Sequence, residues 1–119
     1  MLDFTVLMSV YNKEDPIFLD MSLSSILDLQ TIIPNEVIII KDGALTKSLD
    51  VVLNKYLSEY SSILKVYGYS VNKGLGYALN YGLNKSSNEI IFRMDSDDIA
   101  SPLRFEKQLE VFEENKNNL

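Results

Sequence analysis

Four apolar runs divide this chain, and each gives way to polar residues. Phe4-Thr5-Val6-Leu7-Met8-Ser9-Val10 is near-continuous in apolar character, the pattern of a strand buried on both faces in a parallel sheet. Glu36 to Lys41 contains Val37-Ile38-Ile39-Ile40, a second buried strand rich in β-branched residues. Leu64-Lys65-Val66-Tyr67-Gly68 predicts a third, shorter strand nearer a sheet edge, and Glu89 to Met94 a fourth.

The stretches between them change period. Asp15-Pro16 starts a helix, with Asp15 as N-cap and Pro16 in its first turn. Leu19, Leu23, Ile26 and Leu27 then form an apolar stripe. Thr46 caps a second helix, whose Leu49, Val52, Leu53, Tyr56, Leu57 and Tyr60 give the clearest helical period in the chain. Leu75, Ala78, Leu79 and Gly82 mark one closely packing face of a third. Ser101 and Pro102 open a fourth, with Phe105, Leu109 and Phe112 on one side. Strand and helix alternate four times, which predicts a Rossmann-like α/β fold: an open, mostly parallel sheet with flanking helices and right-handed crossovers.

The 119 residues suffice for one domain with a real core, and only Asn115 to Leu119 read as disordered. No apolar run is long enough to span a bilayer. The amino terminus leads straight into a strand, so no signal peptide is expected. Cysteine is absent, which suits a cytoplasmic protein. Histidine is absent too, so chemistry here must use carboxylates, lysines, tyrosines or a bound ion. A net charge of −6 argues against nonspecific nucleic-acid binding.

The candidate chemistry gathers at strand ends. Met94-Asp95-Ser96-Asp97-Asp98-Ile99 follows the fourth strand. Mutually repelling aspartates are compensated by a cation, and Mg²⁺ or Mn²⁺ takes oxygen ligands. Acidic loops also serve merely as solvated turns or caps. An EF-hand register from Asp95 to Glu106 fails, because Ala100 stands at the glycine position and Ile99 and Leu103 at ligand positions. Tyr11-Asn12 and Asp42 end the first and second strands, so in a parallel sheet all three groups share one edge. Asp42 can accept from a base N–H, Asp97 can hold a metal bridging a diphosphate, and Lys13 and Lys73 can meet phosphate oxygens. Asn72-Lys73-Gly74-Leu75-Gly76 lacks the third glycine of a dinucleotide fingerprint and the Gly-Lys-Ser/Thr of a Walker loop.

Taken together and in order, these segments resemble the amino-terminal half of a family 2 glycosyltransferase of GT-A fold. The resemblance rests on Val6 to Asn12, Glu36 to Gly43, Asn72 to Asn80, and Arg93 to Ile99 with Pro102, Arg104, Phe105 and Gln108. It implies transfer of a sugar, with inversion, from a nucleotide-sugar donor, usually a UDP-sugar, to an acceptor hydroxyl. It implies that Tyr11 and Asp42 hold the nucleobase, that Asp95 faces ribose or sugar, and that Asp97, with Asp98 nearby, ligates Mg²⁺ or Mn²⁺. Lys73 joins the nucleotide-binding set. Relatives of this kind build bacterial capsule, exopolysaccharide or O-antigen on saccharide or lipid-linked acceptors, which implies a cytoplasmic protein associating peripherally with the inner face of the membrane.

Two positions depart from the family pattern. Leu79 stands before Asn80 where many members have arginine, and Lys41 precedes Asp42 where many have aspartate. Family members are also about twice as long, so the chain reads as a truncated donor half, with the catalytic base expected in the other half and this fragment inactive alone. The alternative function is a UDP-binding module without turnover. A response-regulator receiver would need acids where Tyr11-Asn12-Lys13 stands, and a sugar-nucleotide pyrophosphorylase would need glycines between Tyr11 and Asp15. With the fourth strand interior in the complete fold, Ile90-Ile91-Phe92 is expected to leave an open apolar edge here and to drive self-association.

Overall fold

The computed structural model describes residues 2–116. Its elements follow the predicted alternation: β1 (Thr5–Val10), α1 (Pro16–Leu27), β2 (Glu36–Asp42), α2 (Lys47–Glu59), β3 (Leu64–Tyr69), α3 (Leu75–Leu83), β4 (Ile91–Arg93) and α4 (Arg104–Lys116). One parallel sheet results, in the order β3-β2-β1-β4. The Rossmann-like α/β expectation is met.

Alternation along the buried strands sorts the core into two layers. Phe4, Val6, Met8 and Val10 of the first run, with Val37 and Ile39, meet Leu19, Leu23 and Ile26 of α1, Leu49 and Leu53 of α2, and Phe105 and Leu109 of α4. Leu7, Ile38 and Ile40 point the other way, onto Ala78 of α3. Three helices therefore cover one face and α3 covers the other. Gly82 lets α3 approach: a Cβ there would lie 2.3 Å from Leu7 Cδ1. The chain steps outward from β1 to β2 to β3, then crosses to the far side of β1 for β4. That reversal makes the carboxyl end of the sheet between these strands the expected ligand position.

Helix starts match the sequence where a side chain caps them. Asp15 accepts from the Ile17 N–H at 2.8 Å, and Thr46 from the Leu49 N–H at 3.3 Å. Other boundaries differ. α4 begins at Arg104 rather than at Ser101-Pro102, because the carbonyls of those two residues are taken by the segment after α1. Gln30 Nε2 donates to Ser101 O at 2.6 Å and the Thr31 N–H to Pro102 O at 2.9 Å. Phe112 is 43% exposed although Phe105 and Leu109 are buried, since the helix outruns the sheet beneath it. α4 continues through Asn115 and Lys116, expected to be disordered; the remainder of that expectation lies outside the described residues.

β4 is shorter than its apolar run and lies at a sheet edge, as expected for this chain. Among the described residues it pairs only with β1, through Thr5↔Ile91, Val6↔Phe92 and Leu7↔Arg93. β3 occupies the opposite edge, as its sequence suggested. No helix among the described residues is long and apolar enough to cross a membrane.

Candidate functional site

The carboxyl ends of β1, β2 and β4 open onto one cleft of about 410 Å³. Ser9 and Tyr11 reach it from β1, Asp42 from β2, Asn72 and Gly74 from the loop before α3, and Arg93, Asp95 and Asp97 from β4 and its acidic loop. This is the shared edge anticipated from the sequence, and it gathers Tyr11, Asp42, Asp95 and Asp97.

Asp42 is buried, with 4% exposure, and its carboxylate is well occupied. Oδ1 accepts from the Lys73 N–H at 2.8 Å and from the Tyr69 hydroxyl at 2.8 Å, and Oδ2 accepts from the Gly74 N–H at 3.1 Å. Asn72 Nδ2 donates to the Asp42 carbonyl at 3.3 Å. The glycine loop is thus fastened to the end of β2. Two glycines make the crossing feasible. Gly43 has φ 88°, and a Cβ on it would lie 2.7 Å from the Asn72 nitrogen; Gly74 has φ 94°. Gly76, by contrast, has open space around it and gives no close packing. Burial, with the Asp42 hydrogen bond and charge, pushes the Tyr69 phenol upward, so it remains a hydrogen-bond donor.

Lys73 contributes to this edge through its backbone. Its ammonium lies 4.6 Å from the centre of the Tyr77 ring and 5.7 Å from that of Tyr69. Its side chain is not among the groups lining the cleft, and neither is that of Lys13.

The acidic loop alternates as its sequence alternates. Met94 and Ser96 are buried, while Asp95, Asp97 and Asp98 are exposed. The Asp98 N–H donates to the Asp95 carbonyl at 3.1 Å, folding the loop so that the three side chains converge. One ligand oxygen from each lies within 4.8 Å of the others. Oxygens bound to one ion at about 2.1–2.5 Å lie within about 5 Å of each other, so this all-oxygen set fits a hard divalent cation. Asp98 joins the cluster without lining the cleft. Arg93 Nη2 stands 3.3 Å from Asp95 Oδ1, one exposed cation beside three carboxylates.

The loop hangs from α1 and α4. The Ala100 N–H donates to Ser25 Oγ at 3.0 Å, Gln30 bridges the Ser25 and Ser101 carbonyls, and Arg104 Nη2 donates to the Arg93 carbonyl at 3.0 Å. Sequence reasoning did not single out Arg93, Glu14 or Asn72 as cleft residues, or Tyr69 as a partner of Asp42. The strand-edge rule could have supplied Arg93, which ends β4.

Known proteins share both the sequence and the fold. The UDP-Gal:alpha-D-GlcNAc-diphosphoundecaprenol beta-1,3-galactosyltransferase of Escherichia coli is 43% identical over 112 residues, covering 94% of this chain and 40% of that protein. The amylovoran biosynthesis glycosyltransferase AmsE of Erwinia amylovora is 39% identical over 110 residues, covering 92% of this chain and 40% of its own length. The chain therefore spans about 40% of these relatives. The crystal structure of S. aureus TarS 1-349 in complex with UDP-GlcNAc superposes with a TM-score of 0.78 at 26% identity, covering 95% of this chain and 32% of that one. Residues 5–119 match the family described as Glycosyl transferase family 2. That match takes in every strand and helix that shapes the cleft, and the chain belongs to glycosyl transferase family 2.

Proposed function

We propose that this chain binds the nucleotide-sugar donor, a UDP-sugar, in a glycosyltransferase that builds bacterial surface polysaccharide. The carrying observation is the meeting of Asp42, Tyr11, Asp95 and Asp97 on one cleft at the carboxyl edge of the sheet. Such a cleft can take a base at one end and a diphosphate at the other. Tyr11 offers an aromatic face, and Asp42 has an acceptor position left for the imide N–H of uracil. Asp95 faces the ribose or sugar. Asp97 and Asp98, with Asp95 beside them, would hold Mg²⁺ or Mn²⁺ against the diphosphate. The ion would supply Lewis-acid stabilisation of the departing nucleoside diphosphate. The unpaired N–H groups of the first turn of α3, which has no side-chain cap, face the same edge and suit phosphate oxygens. Lys73 adds positive charge near that turn.

The relatives support the rest of the reading. One is named for UDP-Gal and a diphosphoundecaprenol acceptor, another for amylovoran synthesis. The acceptor is accordingly a saccharide or lipid-linked saccharide, whose hydroxyl attacks the anomeric carbon of the donor sugar with inversion as the bond to the nucleoside diphosphate breaks, in a protein working at the cytoplasmic face of the membrane.

Calorimetric titration of the chain with UDP, with Mn²⁺ and with EDTA, tests the site. Binding that weakens by about tenfold or more in EDTA is expected, since the ion is shared between the carboxylates and the diphosphate. Equal affinity in both buffers overturns the metal assignment, and no UDP binding in either overturns the reading. Mn²⁺ alone is expected to bind weakly.

A further inference from the structure

We infer that Tyr69 is a positioning residue for base selection, acting through Asp42. The inference rests on the proposed nucleotide reading and deepens it. Tyr69 ends β3, an edge strand away from the cleft lining, and it reaches the site only through its hydroxyl.

A carboxylate has about four acceptor positions. Three are taken at Asp42: two on Oδ1, by Tyr69 and the Lys73 N–H, and one on Oδ2, by the Gly74 N–H. The remaining position is on Oδ2. The two backbone N–H groups alone grip one oxygen each and leave a free position on both, so the carboxylate could present either oxygen. The Tyr69 hydroxyl removes that degeneracy by filling Oδ1. A single acceptor then stands ready for a base that offers an N–H. Uracil offers its imide N–H; cytosine offers a lone pair at the same ring position and is repelled by a fixed acceptor.

The phenol is itself held firmly. The ring packs edge-on against Tyr77 at 5.1 Å and Tyr81 at 5.4 Å between centroids, and the Lys73 ammonium lies over the Tyr69 and Tyr77 rings. Its raised pKa, from burial and then the Asp42 bond, keeps the proton on the donor oxygen. A fixed donor on a packed ring is what lets a residue outside the cleft orient a group inside it.

The test is the ratio of UDP to CDP affinity, measured by calorimetry in Mn²⁺ on the folded chain. Diphosphate, ribose and metal are common to the two ligands, so their contributions cancel in the ratio. A merely structural role for Tyr69 would weaken both ligands together and leave the ratio unchanged. Tyr69→Phe keeps the ring and removes the hydroxyl; it is expected to lower the ratio by about threefold or more, corresponding to a partial loss of one charge-assisted hydrogen bond. Tyr69→Leu is the second variant without the hydroxyl, read where Tyr69→Phe fails to fold. Asp42→Asn, measured alongside, separates the two levels. If Asp42→Asn keeps the parent ratio, the base assignment of Asp42 is wrong. If Asp42→Asn lowers the ratio while the Tyr69 variants keep it, the base reading stands and the role of Tyr69 is overturned.

Discussion

Glu36 and Asp42 stand at opposite ends of β2, both buried, and each fastens one end of α3. Asp42 takes the N–H groups of Lys73 and Gly74, just before the helix. Glu36 takes the Ser87 N–H at 2.9 Å and the Ser87 hydroxyl at 2.8 Å, just after it. α3 contains Gly76, Asn80 and Gly82 and has no side-chain N-cap, so its own propensity is poor. Its position over the sheet, and hence the floor of the glycine loop, depends on these two carboxylates.

Acid is expected to undo the Glu36 end. Burial opposes the charged form, but hydrogen bonds from Lys65, the Ser87 N–H, Thr5 and the Ser87 hydroxyl outweigh it and lower the carboxyl from its ordinary 4.5 to about 2. The folded-state value lies below the unfolded one, so the stabilisation is complete above about pH 4.5 and is lost as pH falls through 2. Its size is on the order of 3 kcal/mol. Urea unfolding of the parent and Glu36→Gln should differ by about this amount at pH 7 and converge toward pH 2. A constant difference across that range would place the role of Glu36 elsewhere.

The glycines of α3 are expected to respond in opposite directions to alanine. At Gly82 the new Cβ would meet Leu7 Cδ1 at 2.3 Å and Ile40 Cγ1 at 3.1 Å. Overpacking of about 1–3 kcal/mol exceeds the helix-propensity gain of about 1 kcal/mol, so Gly82→Ala should lower the unfolding midpoint. At Gly76 a Cβ meets nothing within 4 Å, and Gly76→Ala should raise stability by roughly 0.5–1 kcal/mol. Gly74→Ala, at φ 94°, should cost about 1–3 kcal/mol in strain. Thermal unfolding of the three variants distinguishes packing, propensity and strain.

The chain shows which kinds of information a sequence carries openly. β1 and β2 were legible because strands buried on both faces need unbroken apolar runs, and Asp15 and Thr46 because a cap is a local event. The common edge of Tyr11, Asp42 and Asp97 followed from parallel topology alone. The bonds from Tyr69, Lys73 and Gly74 to Asp42 were not legible, since they join residues about 30 positions apart and two of them use backbone groups that any residue supplies. The turn of the Lys73 ammonium toward Tyr77 is a local event, since the two residues stand four positions apart at the start of α3, and that spacing could have been read. The late start of α4 reflects competition for backbone groups by Thr31 and Gln30.

Asp97→Asn should separate metal binding from base binding. The substitution keeps the loop's shape and removes one anionic ligand from the cluster formed with Asp95 and Asp98. UDP affinity in Mn²⁺ should fall to the value that the parent shows in EDTA, while the UDP to CDP ratio stays at the parent's value, because Asp42 is untouched. Retention of the full Mn²⁺ effect by Asp97→Asn would move the ion to other ligands.

The chain is expected to self-associate through the β4 side of the molecule. β4 pairs with β1 alone, so among the described residues its outer edge has no strand partner. Beside that edge, Phe92, Val111 and Phe112 line a shallow hollow of about 400 Å³ with Lys107 and Gln108. Val111 is 56% exposed and Phe112 43%, so apolar side chains and free backbone groups lie together on one side of the molecule. Free N–H and C=O groups next to apolar surface favour pairing with another chain, and a two-fold axis lets one patch serve both copies. The short length of β4, three residues, limits the backbone contribution and leaves α4 to supply most of the apolar area. Light scattering over a concentration series should therefore show mass rising toward a dimer. Phe112→Lys should suppress that rise without lowering the unfolding midpoint of the monomer, since the ring contributes little to the core. A parent that stays monomeric at every concentration would overturn the self-association.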